Sequence, residues 1–365
     1  MNRIRTGQGR AARHVLRAMA LAVVLAACGA LPAAAQIITD PNSGHVHRSA
    51  SSTLFDLATR FMRHLGTEAS NATTGAPLVS NPRGGGADLA LAPQQQRQWR
   101  TWFEGYGLTS RMSADGAFPG DQRVTWGGVA GIGYTPVAGA SFGLSVDQSH
   151  TKIDVNAFPQ IAKIDLTQVG ANAAFDSGNW TLALAGVHGF GDVNSRREDA
   201  AQVNIADYSA SLWGAFGELS YMWAMGDARI VPKVGADWAR IKSSAFNEIG
   251  GNLAVSGSEQ VSTRTRVFAG AEVGRSWTFG STLLDLSAYG RGVDIVQQDI
   301  SALVVTGGNG PVSLQGVSES KLGLDTGAAA NLRLSAMTRL YAMYDGRFRQ
   351  NFTSHTGTLG VEFRW

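Results

Sequence analysis

The chain has 365 residues, 45 of them Gly, with 16% charged and 44% hydrophobic residues, against roughly 25% charged and ~7% Gly in an ordinary soluble domain. A single Cys excludes a disulfide framework and a Cys-rich zinc module. Mean hydropathy near zero, without an apolar run of 18 residues, excludes a bundle of membrane-spanning helices.

Residues 1–17 carry five Arg and no acid, an apolar stretch runs from Ala18 to Leu31, and small residues follow. This order reads as a signal peptide over 1–35, cleaved between Ala35 and Gln36, with Ala33 and Ala35 as the small-residue recognition pair. Its removal turns the formal charge of +3 into 26 basic against 28 acidic residues. That balance excludes nucleic acid as a partner. Leu25-Ala26-Ala27-Cys28 also matches a lipobox, which leaves two expectations for processing: lipidation at Cys28, or cleavage after Ala35.

Residues 36–97 lack Trp and Tyr and are rich in Ser, Asn, Gly and Pro over 67–86, the composition of a linker. One helix is predicted inside this segment, near 53–65. Thr53 is its expected cap, Leu54, Ala58, Phe61 and Leu65 its apolar stripe, and Gly66 its stop. About twelve residues give ~18 Å, too short to cross a bilayer alone. The helix is expected to sit in a pore, to survive as a passenger relic, or to anchor the segment in the periplasm. His45 and His47 form a two-imidazole pair without a third ligand, so no metal site is expected.

From 98 to 365 the hydrophobic period becomes two. Twelve segments alternate an apolar face with one of charged and small residues: 98–110, 123–135, 140–153, 162–176, 179–190, 207–223, 229–245, 263–278, 282–295, 318–334, 338–347 and 355–365. Connections alternate tight and long, the long ones at 111–122, 191–206, 246–262 and 296–317. Tyr134, Trp180, Trp223 and Trp277 lie beside short turns. Strands of this length with short turns at one end predict an all-β protein, an antiparallel transmembrane β-barrel of about 12 strands. Lipid tolerates no open sheet edge, so the sheet closes. Lys233, Asp237, Arg264, Arg266, Glu272, Asp285, Arg291, Lys321, Asp325, Asn331, Arg333, Glu362 and Arg364 fall on the expected lumen face.

Trp99-x-x-Trp102-x-x-x-Tyr106-Gly107, Trp126-Gly127-Gly128-x-x-Gly131-x-Gly133-Tyr134, Tyr344-Asp345-Gly346-Arg347-Phe348 and the terminal Phe363-Arg364-Trp365 together resemble the translocator β-domain of autotransporters, the type V secretion family. The resemblance implies a Gram-negative outer-membrane barrel for 98–365, at most a very short passenger, and a helix in the pore. It also implies export through the Sec machinery and insertion by the barrel-assembly machinery, with Leu359, Val361, Phe363 and Trp365 as the C-terminal assembly signal. The barrel is expected to be a monomer in outer-membrane lipid, with no enzyme activity, catalytic residue, cofactor or metal. The alternatives are an adhesive or structural surface barrel, a small-solute pore, and a rim hydrolase using His150, His188 or His355 with Asp147, Asp154 or Asp192.

Overall fold

The computed structural model describes residues 41–73, 98–199, 202–280, 282–308 and 310–365. The cleavage-site residues Ala33, Ala35 and Gln36, and Cys28, lie outside them. A short 3-10 turn, Pro41–Gly44, leads into one long helix, α1, His45–Thr73. Twelve long strands follow: β1 (Trp99–Met112), β2 (Asp121–Val137), β3 (Ala140–Val155), β4 (Gln160–Ser177), β5 (Trp180–Asp199), β6 (Gln202–Tyr221), β7 (Ala228–Ser243), β8 (Gln260–Phe279), β9 (Thr282–Ile300), β10 (Leu322–Arg333), β11 (Thr338–Arg349) and β12 (Phe352–Arg364). Each strand pairs antiparallel with its neighbours in sequence, and β12 returns to β1 in register from Arg100↔Arg364 to Met112↔Phe352. The sheet is a closed barrel, and all twelve predicted segments are strands of it.

Alternation sets the two faces. Phe103, Leu144, Leu184, Val234, Val273, Leu340 and Leu359 are exposed on the outer wall, while Arg123, Asp147, Asp237, Arg266, Asp325 and Glu362 are buried inside. A charged side chain on the outer wall would cost about 2–4 kcal/mol at mid-bilayer, and a one-residue slip would put a whole row there. Two aromatic girdles bound the apolar band. At the end of the short turns, Trp99 packs on Tyr134 at 4.5 Å and on Trp365 at 6.0 Å, and Trp180 packs on Tyr221 at 4.9 Å. Nearer the other end lie exposed Trp126, Phe190 and Trp213. Trp126 sits eight residues along β2 from Tyr134, which on strands tilted 35–45° spans roughly 20 Å, close to the ~25 Å apolar band of such barrels.

The glycine motif of β2 has a packing cause. Gly127, Gly131 and Gly133 face Tyr106, Trp102 and Arg100 directly across the ladder. A Cβ on Gly131 would lie 2.2 Å from the Trp102 ring, and one on Gly133 would lie 2.5 Å from Arg100 Nε. The inward bulk of β1 therefore needs an inward-bare β2, and no phosphate loop is involved.

Five expectations fail. The helix has 29 residues, about 44 Å, rather than about twelve. Thr53 does not cap it: Thr53 lies mid-helix, its hydroxyl donating to the Ser49 carbonyl at 2.8 Å. Gly66 does not stop it, because its missing side chain admits the Phe216 ring, which a Cβ would meet at 2.3 Å. The 191–206 loop is largely strand, since β5 and β6 pair from Trp180↔Tyr221 out to Asp199↔Gln202. Parts of the 246–262 and 296–317 loops join in a second small antiparallel sheet of Phe246–Asn247, Ser256–Gly257, Leu303–Gly307 and Gly310–Leu314. Lys321 is no lumen residue; it is exposed on a bend just before β10.

Candidate functional site

Helix α1 lies within the lumen with its two faces on unlike walls. Leu54, Ala58, Phe61, Met62, Leu65 and Ala69 recur at three- and four-residue spacing and are fully buried. They share clusters with Ile164, Leu166, Val187, Leu212 and Phe216 from β4–β6, and with Ala174 and Ala183. Bare wall positions receive them. A Cβ on Gly170 would lie 2.4 Å from Leu65, and one on Gly214 would lie 2.5 Å from Met62 Sδ. Asn172 donates to the Leu65 carbonyl at 2.7 Å and Ser141 to the Ala69 carbonyl at 3.2 Å. Burying each large apolar side chain is worth about 1.5–3 kcal/mol, so this face fixes the helix against β3–β6.

The charged face looks the other way, mostly toward β9–β12. Asp56 takes Arg347 at 2.7 Å and Arg123 at 3.2 Å. Arg60 reaches Asp147 at 3.2 Å and lies over the Tyr106 ring. Arg63 reaches Asp325 and Asp345, both at 3.3 Å, and donates to Tyr289 Oη at 2.5 Å. Glu68 accepts from Arg100 at 2.8 Å and Arg339 at 3.4 Å. Positions 56, 60 and 63 follow one another at helical spacing. The signal for this second face was present in the sequence, but its partners lie 32 to 291 residues away.

Because the helix leans on one wall, a solvent-connected crevice remains beside it. Arg60, Arg63, Lys233, Glu272, Tyr289 and Arg339 are among its lining residues. Wall charges around it are also paired with each other: Arg229 with Asp285 at 2.5 Å, Lys233 with Glu272 at 3.0 Å and Arg266 with Asp237 at 2.7 Å.

At the loop end, Gly44 and Val46 meet the small loop sheet. Val46, Phe246, Val255, Leu303, Val305 and Leu314 belong to one buried cluster. Two loop carboxylates tie the loops down. Glu248 takes Arg197 at 2.6 Å and lies 3.8 Å from His47, whose ring stacks on Phe246 at 3.8 Å. Glu319 takes Arg264 at 2.5 Å and Arg347 at 3.0 Å. Burial alone would raise both carboxyl pKa values, yet Arg347 and Arg264 around Glu319, and His47 and Arg197 around Glu248, hold both below the usual glutamate range. Carboxylates depressed on folding stabilise the protein above their unfolded pKa and lose that contribution as pH falls through the depressed value. Protection factors for amide exchange in residues 303–314 are therefore expected to be the same at pH 5 as at pH 7, with protection lost only below the usual glutamate range. Loss of protection already between pH 6 and 5 would contradict this pairing.

The sequence-derived rim histidines do not converge. His150 packs on Trp126 at 4.3 Å and pairs with Asp165; His188 packs on Trp213 at 4.1 Å; His355 bonds Tyr344 Oη at 2.7 Å. They lie on β3, β5 and β12, with at least one strand between any two, about 10 Å or more apart at ~4.8 Å per strand. Asp147 points inward to Arg60, opposite to His150; Asp154 pairs with Lys152 at 2.9 Å; and Asp192 is exposed. His45 and His47 are buried at the loop end of the helix. Among the described residues no group of three metal-ligating side chains is assembled. Leu359, Val361, Phe363 and Trp365 share the outer face of β12, with Leu359, Phe363 and Trp365 exposed and Phe363 beside Thr101 of β1.

Residues 101–345 match the sequence profile of the autotransporter beta-domain. The chain belongs to that family. The translocator domain of the autotransporter NalP from Neisseria meningitidis is similar in fold, with TM-score 0.69 at 14% identity over 88% of this chain and all of that one. The beta domain of the Bordetella autotransporter BrkA gives 0.55 at 14% identity over 73% of this chain and all of that one. No curated protein sequence matches the chain. The protein is thus an autotransporter translocator β-barrel of the outer membrane. Its short turns face the periplasm and its loop end faces outward.

Proposed function

We propose that this translocator is self-plugged, with α1 as the resident plug of its own pore. The observation that carries this reading is the two-faced fit of a 29-residue helix inside a closed barrel: apolar against β3–β6, ion-paired toward β9–β12. Leu54, Ala58, Phe61 and Leu65 are the plug's wall contacts. The helix runs from His45 at the outer mouth to Glu68 beside the periplasmic arginines. Its domains are a signal peptide over 1–35, a plug segment over 36–97 and the barrel over 98–365. Ala33, Ala35 and Gln36 mark cleavage, and Leu359, Val361, Phe363 and Trp365 mark the strand recognised for assembly after Sec export. The action proposed is physical rather than catalytic, and His150, His188 and His355 lie on separate strands.

Deleting residues 45–73 is expected to turn a mostly closed protein into one with steady conductance in planar bilayers. An epitope placed after Thr39 is expected to be stripped by protease from intact cells. A helix-deleted barrel as quiet as the intact one would sink the plug, and a fully protected epitope would sink export of the N-terminal segment.

A further inference from the structure

We propose that the outer loops form a second, separate closure: a latched lid that seals the crevice beside the plug. The inference rests on the reading of α1 as a plug, but concerns the space the helix leaves open. That crevice reaches from Arg333 and Arg364 near the periplasmic turns to Asp56, Arg347 and Ser354 near the loop end. Above that level the side chains are buried, not wet: Arg123, Arg264, Asp121 and Glu319 are each less than 5% exposed. Charges so placed are covered from the outside as well as from the lumen.

Three loops supply the cover. The β1–β2 loop gives Phe118, which clusters with Met112, Val317 and Phe352. The β7–β8 loop gives Phe246 and Val255, and the β9–β10 loop gives Leu303, Val305 and Leu314, all buried with Val46. Backbone pairing across loops, Ser256↔Thr306 and Gly257↔Val305, makes the last two a single sheet. The fit on the helix start leaves no slack: a Cβ on Gly44 would lie 2.1 Å from Leu314 and 3.2 Å from both Leu303 and Val305.

Glu319 is the latch. It belongs to the loop, yet its partners Arg264 and Arg347 belong to the wall. The same two arginines hold the plug, Arg264 through the Phe55 carbonyl and Thr59 Oγ1, and Arg347 through Asp56. Removing one partner from such a buried set leaves the others without counter-charge. Lid and plug therefore share anchors but close different parts of the lumen, and opening the lid alone exposes a charged path for small hydrated ions.

The test uses the full chain in planar bilayers with potassium chloride. Replacing residues 303–314 by a four-residue Gly-Ser linker is expected to raise open time at least tenfold with the helix in place. Glu319→Gln is expected to raise it less, and serves if the linker variant loses heat-modifiable gel mobility. Gly44→Cys with Leu314→Cys, which removes the Leu314 methyl that a Cβ on Gly44 would meet, in a Cys28→Ala background, is expected to abolish residual openings when oxidised and to restore them on reduction. The lid is overturned if both loop variants stay as closed as the parent while the helix-deleted chain conducts. It is also overturned if the oxidised trap conducts like the reduced one. A lid-replaced barrel that gains nothing further on helix deletion counts against the plug and leaves the lid standing.

Discussion

Asp325→Ala is expected to be among the most damaging single changes in this barrel. Asp325 is fully buried and lies 2.9 Å from Arg349, 3.3 Å from Arg63 and 3.6 Å from Arg291. One carboxylate thus answers guanidiniums from β9, β11 and the helix. Removing one partner of a buried ion pair costs about 3–5 kcal/mol, because the remaining charge stays desolvated. Here three remain, so the upper end of that range is expected. Asp325→Asn should cost nearly as much, since it keeps the shape and loses the charge. Asp154→Ala, an exposed partner of Lys152, should shift stability by less than about 1 kcal/mol. Urea titrations of refolding into lipid vesicles would measure all three. A stable Asp325→Asn barrel would show that the lumen charges are solvated and that pairing is not what holds them.

Gly170→Leu should separate plug from barrel. A side chain there enters the space of Leu65 and Phe61, which a Cβ alone would approach to 2.4 and 3.0 Å. Overpacking a tight contact costs about 1–3 kcal/mol, and the backbone hydrogen bonds of β4 do not depend on it. The strand can therefore pair while the helix is pushed from its wall. The expected result is a heat-modifiable barrel whose 41–73 segment is cut by protease added to detergent-solubilised protein. Gly105→Leu is the control, because nothing lies within 4 Å of a Cβ at that outward position. Equal protease resistance in the two variants would mean that the helix does not depend on its apolar face.

The barrel itself was legible because its rule is local. Lipid outside and charge inside force period two on every strand, and all twelve segments could be read from alternation and turn residues alone. Tyr134 and Trp180 marked the periplasmic girdle for the same reason. Helix length was not legible. His45–Ser52 and Thr67–Thr73 carry too few large apolar residues to announce a helix, and Gly66 reads as a stop. They are helical because the lumen supplies partners: Tyr208 for His47, Arg100 for Glu68 and Phe216 for the bare Gly66.

What the sequence determined by itself was strand number, facing and compartment, each fixed by periodicity, by terminal signals or by resemblance carried on nearby residues. What only the tertiary structure decided was the inside of the barrel. Glu319 looks like one loop acid among many until closure sets Arg264 and Arg347 beside it, 55 and 28 residues away. Likewise Asp56, Arg60 and Arg63 have no partners in local sequence until β12 closes on β1 and surrounds them with opposite charge. Ion pairs across a lumen depend on which strands face each other after closure, and no local pattern carries that information.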